Sequence, residues 1–310
     1  MLCNPYVTIH IDLNRIRANI EQIRTLVKVP ILAVVKADAY GLGASAVACA
    51  IAEIVDGFCV FQLQEAIEAK IHQHTGKRTL ALGPPASMNP HDFQSAGVTP
   101  SVSTVEQAVL LRAAKPALCV DTGMQRLACP IEKIDSVLRA GECCEAFTHG
   151  TRVSDAQQLK NACGRYGIPL HAAATSLLHE PQALLDAVRP GLAMYRGAAR
   201  VVTTLIEAHE TIGPAGYTGF TASRHGVILM GYAHGLRPGV CTVNGTQRRV
   251  LEVGMQTAFV ELGEKDRVGD EVALLDETVN DQVLAEAWCV SPHEVLLDLC
   301  ATGRRIYSGE

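Results

Sequence analysis

The sequence predicts an α/β protein: a (β/α)8 barrel of the TIM type followed by a smaller, mostly β domain. Three observations carry this. Short apolar runs alternate with amphipathic stretches seven or eight times within about 220 residues, the rhythm of parallel β/α units. No G-x-G-x-x-G opens a helix after the first strands, which counts against an open doubly wound sheet. Beyond residue 215 the texture changes to strands separated by Gly, Asn-Gly and Gly-Asp turns.

Taken in order, Tyr6 to Ile11 alternates with Val7, Ile9 and Ile11 on one face and reads as a strand that could pack with the C-terminal domain. Asp12 or Asn14 then caps a helix to about Val27, with Ile16, Ile20 and Ile23 on its apolar face. Ile31 to Val35 is a short buried strand. Gly57–Phe61 reads as strand, Leu63–Ile71 as helix and Thr79–Leu82 as strand. Val105–Ala114 is a helix and Ala117–Val120 a strand, followed by a strand at Ala146–Thr148, a helix at Ser154–Tyr166 and a strand at Leu170–Ala173. Leu184 to Val188 leads into a turn at Arg189-Pro190-Gly191. Residues 1–215 are assigned to the barrel and 216–310 to the β domain, with strands at Val227–Met230, Gln247–Val253, Gln256–Leu262 and Glu271–Leu275.

Composition narrows the function classes. The 310 residues are 48% hydrophobic and 19% charged, enough for a substantial core. A net charge of −5 and no basic stripe argue against a nucleic-acid partner. Eleven cysteines, an odd number without C-x-x-C spacing, point to reduced thiols in the cytoplasm and away from a metal site. The first residues lack the basic start and apolar core of a secretion signal, and no apolar run reaches membrane-spanning length.

The chemistry begins at AVVKADAYGLGA, Ala33 to Ala44, where Lys36 ends a buried strand. In a β/α barrel that end of the strand is where active sites lie. A lysine there either snorkels to solvent or is partly desolvated, and desolvation favours the neutral amine needed for Schiff-base chemistry. Other strand ends carry Asp121 to Arg126, Thr148-His149, Ala174-Thr175-Ser176 and Arg189-Pro190-Gly191. A rim with lysine, two arginines, a histidine and hydroxyls suits a ligand bearing phosphate and carboxylate.

From Val7 to Tyr307 the sequence resembles the alanine racemase family of fold-type III pyridoxal-phosphate enzymes. The resemblance rests on the lysine segment and, in order, VDTGMQR (Val120–Arg126), FTH (Phe147–His149), HAAATS (His171–Ser176), RPGLAMY (Arg189–Tyr195), MGYAHG (Met230–Gly235), VGM (Val253–Met255) and RRIY (Arg304–Tyr307). It implies that Lys36 carries pyridoxal 5'-phosphate. Tyr40, Thr175, Ser176, Tyr307 and the N–H groups of Gly191 and Leu192 would surround the phosphate. Arg189 would face the pyridine nitrogen, and an arginine, having only donors, leaves that nitrogen unprotonated. His149 would lie against the cofactor or support Tyr232, and Arg126 would hold the substrate carboxylate or the cofactor's phenolic oxygen.

The resemblance further implies a homodimer with composite sites. Lys36 and Tyr232 of the second subunit would be the two bases that interconvert L- and D-alanine, with Met255 near the substrate carboxylate. Taken alone, each hydroxyl reads as a capping or turn residue, His149 as a structural histidine, Arg189 as a surface arginine before a turn and Tyr232 as a half-buried strand aromatic; the ordered motifs are what promote them. The chain departs from the family pattern at Cys119, where many members carry a carbamylated lysine, and at Gly150, Ala174, Arg196, His234 and Gln256. These departures leave three alternatives: a racemase for serine or a basic amino acid, a fold-type III decarboxylase, and a catalytically weakened cofactor-binding protein.

Overall fold

The structure, a computed structural model, describes residues 4–309. In chain order the first nine strands are β1 (Asn4–Asp12), β2 (Leu32–Val34), β3 (Gly57–Val60), β4 (Thr79–Ala81), β5 (Val98–Thr99), β6 (Ser101–Val102), β7 (Ala117–Cys119), β8 (Glu145–Phe147) and β9 (Leu170–His171). The rest are β10 (Ala199–Thr204), β11 (Glu207–Glu210), β12 (Arg224–Ile228), β13 (Gly239–Val243), β14 (Thr246–Val253), β15 (Ala258–Glu261), β16 (Glu271–Leu275) and β17 (Gly303–Ser308). The chain divides into two compact units. One holds residues 16–39 and 43–194; the other holds the residues up to Arg15, Tyr40–Leu42, and Tyr195 onward.

The first unit is a parallel β/α barrel. β2 to β5 form one four-stranded parallel ladder and β6 to β9 another. Pro100 separates β5 from β6: it has no N–H to give the ladder, though its carbonyl still accepts from Ala117 N–H at 2.8 Å. The ring closes through a last short extended segment. Ile31 pairs with Val188, and His171 with Ala187. The Leu32 amide donates to the Val188 carbonyl, and the Val188 amide to that of Pro30, both at 2.9 Å. Helices cover the outside, so these strands are buried on both faces, which is why they read as continuous apolar runs. The helix Leu13–Val27 buries Ile16, Ile20, Ile23 and Val27, each contributing about 2 kcal/mol. Its start is fixed by Asp12, whose Oδ1 accepts the Arg15 amide at 3.0 Å.

At the N-terminal ends of the barrel strands, polar groups enter the interior. Arg78, just before β4, makes a two-pronged bond to Glu145 on β8 at 3.0 and 2.9 Å. His171 on β9, fully buried, stacks on Phe147 and lies 3.3 Å from Glu145 Oε2. Burial alone would raise the Glu145 carboxyl; the nearby His171 ring and the bonds from Arg78 instead hold it down, to about 2. Burial likewise pushes His171 down, to about 4, so its ring is neutral near pH 7.

The second unit is built on a nine-stranded sheet in the order β11-β12-β15-β14-β13-β16-β10-β1-β17. β1 lies between β10, antiparallel, and β17, parallel. The sequence reading leaves residues 199–210 with the barrel, yet β10 and β11 lie in this sheet. The run Ala199–Thr204 is apolar enough to serve either as a barrel strand or as a sheet strand; its pairing with β1 and β16 decides. Two helices the alternating pattern does not disclose, Asp281–Trp288 and Pro292–Cys300, follow β16. Asn280 and Ser291 cap them, with Glu294 completing a capping box on the second. The expected helix Leu63–Ile71 breaks at Lys70 (φ 51) into Leu63–Glu68 and Ile71–Thr75.

Candidate active site

Lys36 leaves β2 at its C-terminal end and is half-buried. The next residues, Ala37, Asp38 and Ala39, are left-handed (φ 52, 54 and 55), and Tyr40 continues the run at φ 59. For a residue with a Cβ this conformation costs roughly 1 kcal/mol or more. The turn is held by Ala39 N–H on the Val35 carbonyl (2.9 Å), Gly43 N–H on the Asp38 carbonyl (2.8 Å) and Ala44 N–H on Asp38 Oδ1 (2.7 Å). Glu65 accepts the Ala37 amide at 3.0 Å.

Burial pushes the Lys36 ammonium below the usual lysine range, and the positive charges of Arg126 and Arg189 add to this against the opposing charge of Glu65. Arg126 is exposed on the loop after β7. That loop is shaped by Asp121, whose Oδ1 accepts the amides of Gly123 and Gln125, both at 2.9 Å. Thr122 points inward and meets the Thr148 hydroxyl at 2.8 Å, tying the ends of β7 and β8 together.

Arg189 is 3% exposed. Its guanidinium lies over the Phe147 ring at 4.9 Å and donates to the Thr148 carbonyl and, at 3.3 Å, to that of Ala172. Its Nε is buried with no partner among the described residues. Loss of solvent pushes His149 down, to about 4, and Arg189, Arg126 and Lys36 push the same way. Thr175 Oγ1 accepts the amides of Gly191 (3.3 Å) and Ala193 (3.2 Å), gathering a hydroxyl and backbone donors in one corner beside the Leu192–Tyr195 turn. Ser176, next in chain, is exposed.

Lys36, Arg126, His149, Thr175, Ser176, Arg189, Gly191 and Leu192 all lie in the barrel unit. The other expected residues lie in the β unit. Tyr40 is 6% exposed and packs on Tyr195 and His293, with ring centroids 4.9 and 5.6 Å away; burial pushes its hydroxyl up to about 12. The Tyr307 hydroxyl donates to the Leu42 carbonyl at 3.0 Å. Tyr232 and Met255, 58% and 61% exposed, sit on two turns locked to each other. The Tyr232 amide donates to the Gly254 carbonyl (2.9 Å) and the Ala233 amide to that of Met255 (3.0 Å). A Cβ on Gly231 would stand 2.4 Å from both acceptor oxygens, so only glycine permits this approach.

Two departures from the family pattern have a local account. His234 Nδ1 accepts the Gly231 amide at 3.2 Å, so the imidazole can serve as the acceptor closing this turn. Cys119 is pushed up to about 11 by burial, against Arg189 and Arg126, and so offers no anion to the rim. Sequence reasoning missed Glu65, Glu145 and Arg78. For Glu65 a signal existed: a glutamate three residues after Gln62, at the position that completes a capping box. The other two carry no signal, because they lie 67 residues apart in the chain.

The family model for the alanine racemase N-terminal domain matches residues 11–199. The alanine racemase of Pasteurella multocida is 30% identical, covering 87% of this chain and 89% of that protein. The alanine racemase of Neisseria meningitidis serogroup C is 27% identical over 94% and 97%. Among solved structures, alanine racemase from Streptomyces lavendulae superposes with a TM-score of 0.89 at 21% identity, covering 99% of this chain and 98% of that one. Alanine racemase from Bartonella henselae, solved with covalently bound pyridoxal phosphate, superposes at 0.86 and 22% identity, covering 98% and 100%. At such identities these two likenesses speak for the fold.

Proposed function

The chain belongs to the alanine racemase family, and from that premise we propose that it interconverts L- and D-alanine with pyridoxal phosphate, as a homodimer in the cytoplasm. The observation that carries the reading is the barrel rim: a desolvated lysine under the charges of Arg126 and Arg189, beside a buried arginine with a spare donor.

The residues present fit the cofactor. Arg189 Nε is a buried N–H without an acceptor, which suits a ring nitrogen that accepts one. The Thr175 hydroxyl and the amides of Gly191 and Leu192 would take the phosphate, joined by Ser176, Tyr40 and Tyr307. When bound, the cofactor supplies an electron sink that acidifies the substrate Cα–H. Lys36, its ammonium destabilised, would hold the cofactor covalently and exchange a proton at Nζ on one face of the substrate. Arg189 donates and keeps its own proton, which limits the sink and favours simple return of a proton to Cα. Tyr232 of the second subunit would exchange a proton at Oη on the opposite face, and Met255 would border the substrate carboxylate with Arg126. His149, neutral near pH 7, leaves the anion-binding work to the arginines. No helix among the described residues is long and apolar enough to cross a membrane, and the described cysteines are free thiols, which suits a reducing compartment.

The test is proton exchange. Purified protein with added cofactor is incubated in D₂O with L-alanine, L-serine or L-lysine, and Cα–H loss is followed by NMR. Exchange with alanine and appearance of the D-enantiomer are expected. Exchange only with serine or lysine would move the substrate assignment, and exchange with none would sink the reading.

A further inference from the structure

We propose that Glu65 is the positioning residue and counter-charge of Lys36, clamping the left-handed turn that begins at Ala37 while balancing the arginines of the rim. The proposal rests on the reading of Lys36 as the reactive amine. Its geometry comes from two neighbouring strand ends. β2 and β3 run parallel, with Ala33 opposite Phe58, so the residues just beyond them lie side by side. Glu65, on the first turn of the helix after β3, reaches both. Oε2 accepts the amides of Phe61 (2.6 Å) and Gln62 (3.3 Å), and Oε1 accepts that of Ala37 (3.0 Å).

The second bond goes beyond helix capping. A capping glutamate needs only its own helix entry. Here the other oxygen is spent on the first left-handed residue after the lysine, in a run whose conformation is unfavourable at each position. Other bonds of that run involve Val35 and Asp38, within the segment itself.

The charges that act on Lys36 are those of Arg126 from the loop after β7, Arg189 from the closing segment and Glu65, with Cys59 from β3 beside them; His149, at the end of β8, is neutral near pH 7. Cys59 is pushed up to about 12 by burial and stays a neutral thiol. Cys119, where many relatives by resemblance place an anion, is neutral as well. Glu65 is thus an acid whose charge opposes two arginines at this amine.

The test uses the full-length protein freed of cofactor, so it does not depend on catalysis. Lys36 is labelled with acetic anhydride across a pH series and quantified by peptide mass spectrometry. Glu65→Gln keeps the length and removes the charge. Its labelling midpoint should move to lower pH, with labelling near neutral pH roughly two- to threefold faster. Glu65→Asp keeps the charge but is too short for both strand ends. It should hold the wild-type midpoint while the Ala37 amide exchanges faster with D₂O.

An unchanged or raised midpoint in a folded Glu65→Gln protein overturns the counter-charge. A protected Ala37 amide in Glu65→Asp overturns the clamp, and this arm stands even if the glutamine variant fails to fold. Cofactor uptake by the wild type is followed in parallel. Failure there counts against the proposed function and leaves the labelling result readable.

Discussion

The barrel rim and the Tyr232–Met255 turns hold their candidate residues in opposite ways. At the rim, Arg189 is buried and bonded to two carbonyls, Thr122 and Thr148 share a hydroxyl bond, and Lys36 sits on a strained turn clamped from the neighbouring strand end. On the β domain, Tyr232 and Met255 expose more than half of their surface, yet the backbone beneath them is tied by paired amide–carbonyl bonds and a close glycine contact. Electrostatic catalysis draws on groups that are desolvated and fixed. An exposed side chain on a fixed backbone is instead suited to meeting something supplied from outside its own unit, which is the composite-site reading.

The strongest way to break this contrast is to separate the two sets of residues between chains. Lys36→Ala and Tyr232→Phe should each lower racemisation by roughly a thousandfold or more, as expected for the loss of an acid–base or covalent group. Mixed and allowed to exchange, the two inactive proteins should regain activity, approaching roughly half that of a wild-type dimer per heterodimer, since one site then carries neither lesion. Free exchange with no recovered activity would show that Tyr232 serves its own chain or does no chemistry.

A smaller effect should follow from loosening the β-domain turns alone. In Gly231→Ala the new Cβ must push away the Gly254 and Met255 carbonyls, breaking the bonds that set Tyr232. Racemase kcat should fall between roughly tenfold and a hundredfold. Cofactor affinity, which in the proposed function rests on residues other than Tyr232 and Met255, should stay near wild type. A parallel loss of cofactor affinity would erase the contrast between the two regions.

The smallest effect on activity, though not on stability, is expected beneath the rim. Arg78→Met leaves the buried Glu145 carboxylate without its guanidinium and should cost about 3 kcal/mol in urea unfolding near pH 7. The pH dependence should weaken. In the wild type the folded-state pKa of Glu145 is depressed to about 2, so its contribution is present above the ordinary glutamate pKa and is lost as pH falls toward 2. Without Arg78 its share of the lowering is gone while that of His171 remains, so the depression should shrink and the acid loss of stability should become smaller. A variant whose stability falls with acid as the wild type's does would show that His171 alone suffices for the carboxylate.

Much of this protein follows from local sequence. Apolar runs such as Ile31–Val35 are short because a barrel strand is short, and apolar throughout because both faces are covered. Asp12 starts its helix with a bond to an amide three residues on. Lys36 at the end of such a run marks the active-site end of the barrel, and the ordered motifs from Val120 to Tyr307 identify the family. These features rest on neighbours in the chain or on periodicity, which a sequence displays.

What only the tertiary structure decided rests on partners far apart in sequence. The place of Ala199–Thr204 was settled by its pairing with β1 and β16, since its composition suits a barrel strand equally well. The left-handed run at Ala37–Tyr40 contains no glycine to announce it; bonds from Val35, Asp38 and Glu65 hold it in place. Glu145 and Arg78, 67 residues apart, show as a pair only once the barrel closes and brings β4 and β8 into one interior. The lowered affinity of Lys36 for its proton has the same origin. Desolvation and the charges of Arg126 and Arg189 are properties of the folded rim, and no stretch of sequence contains them.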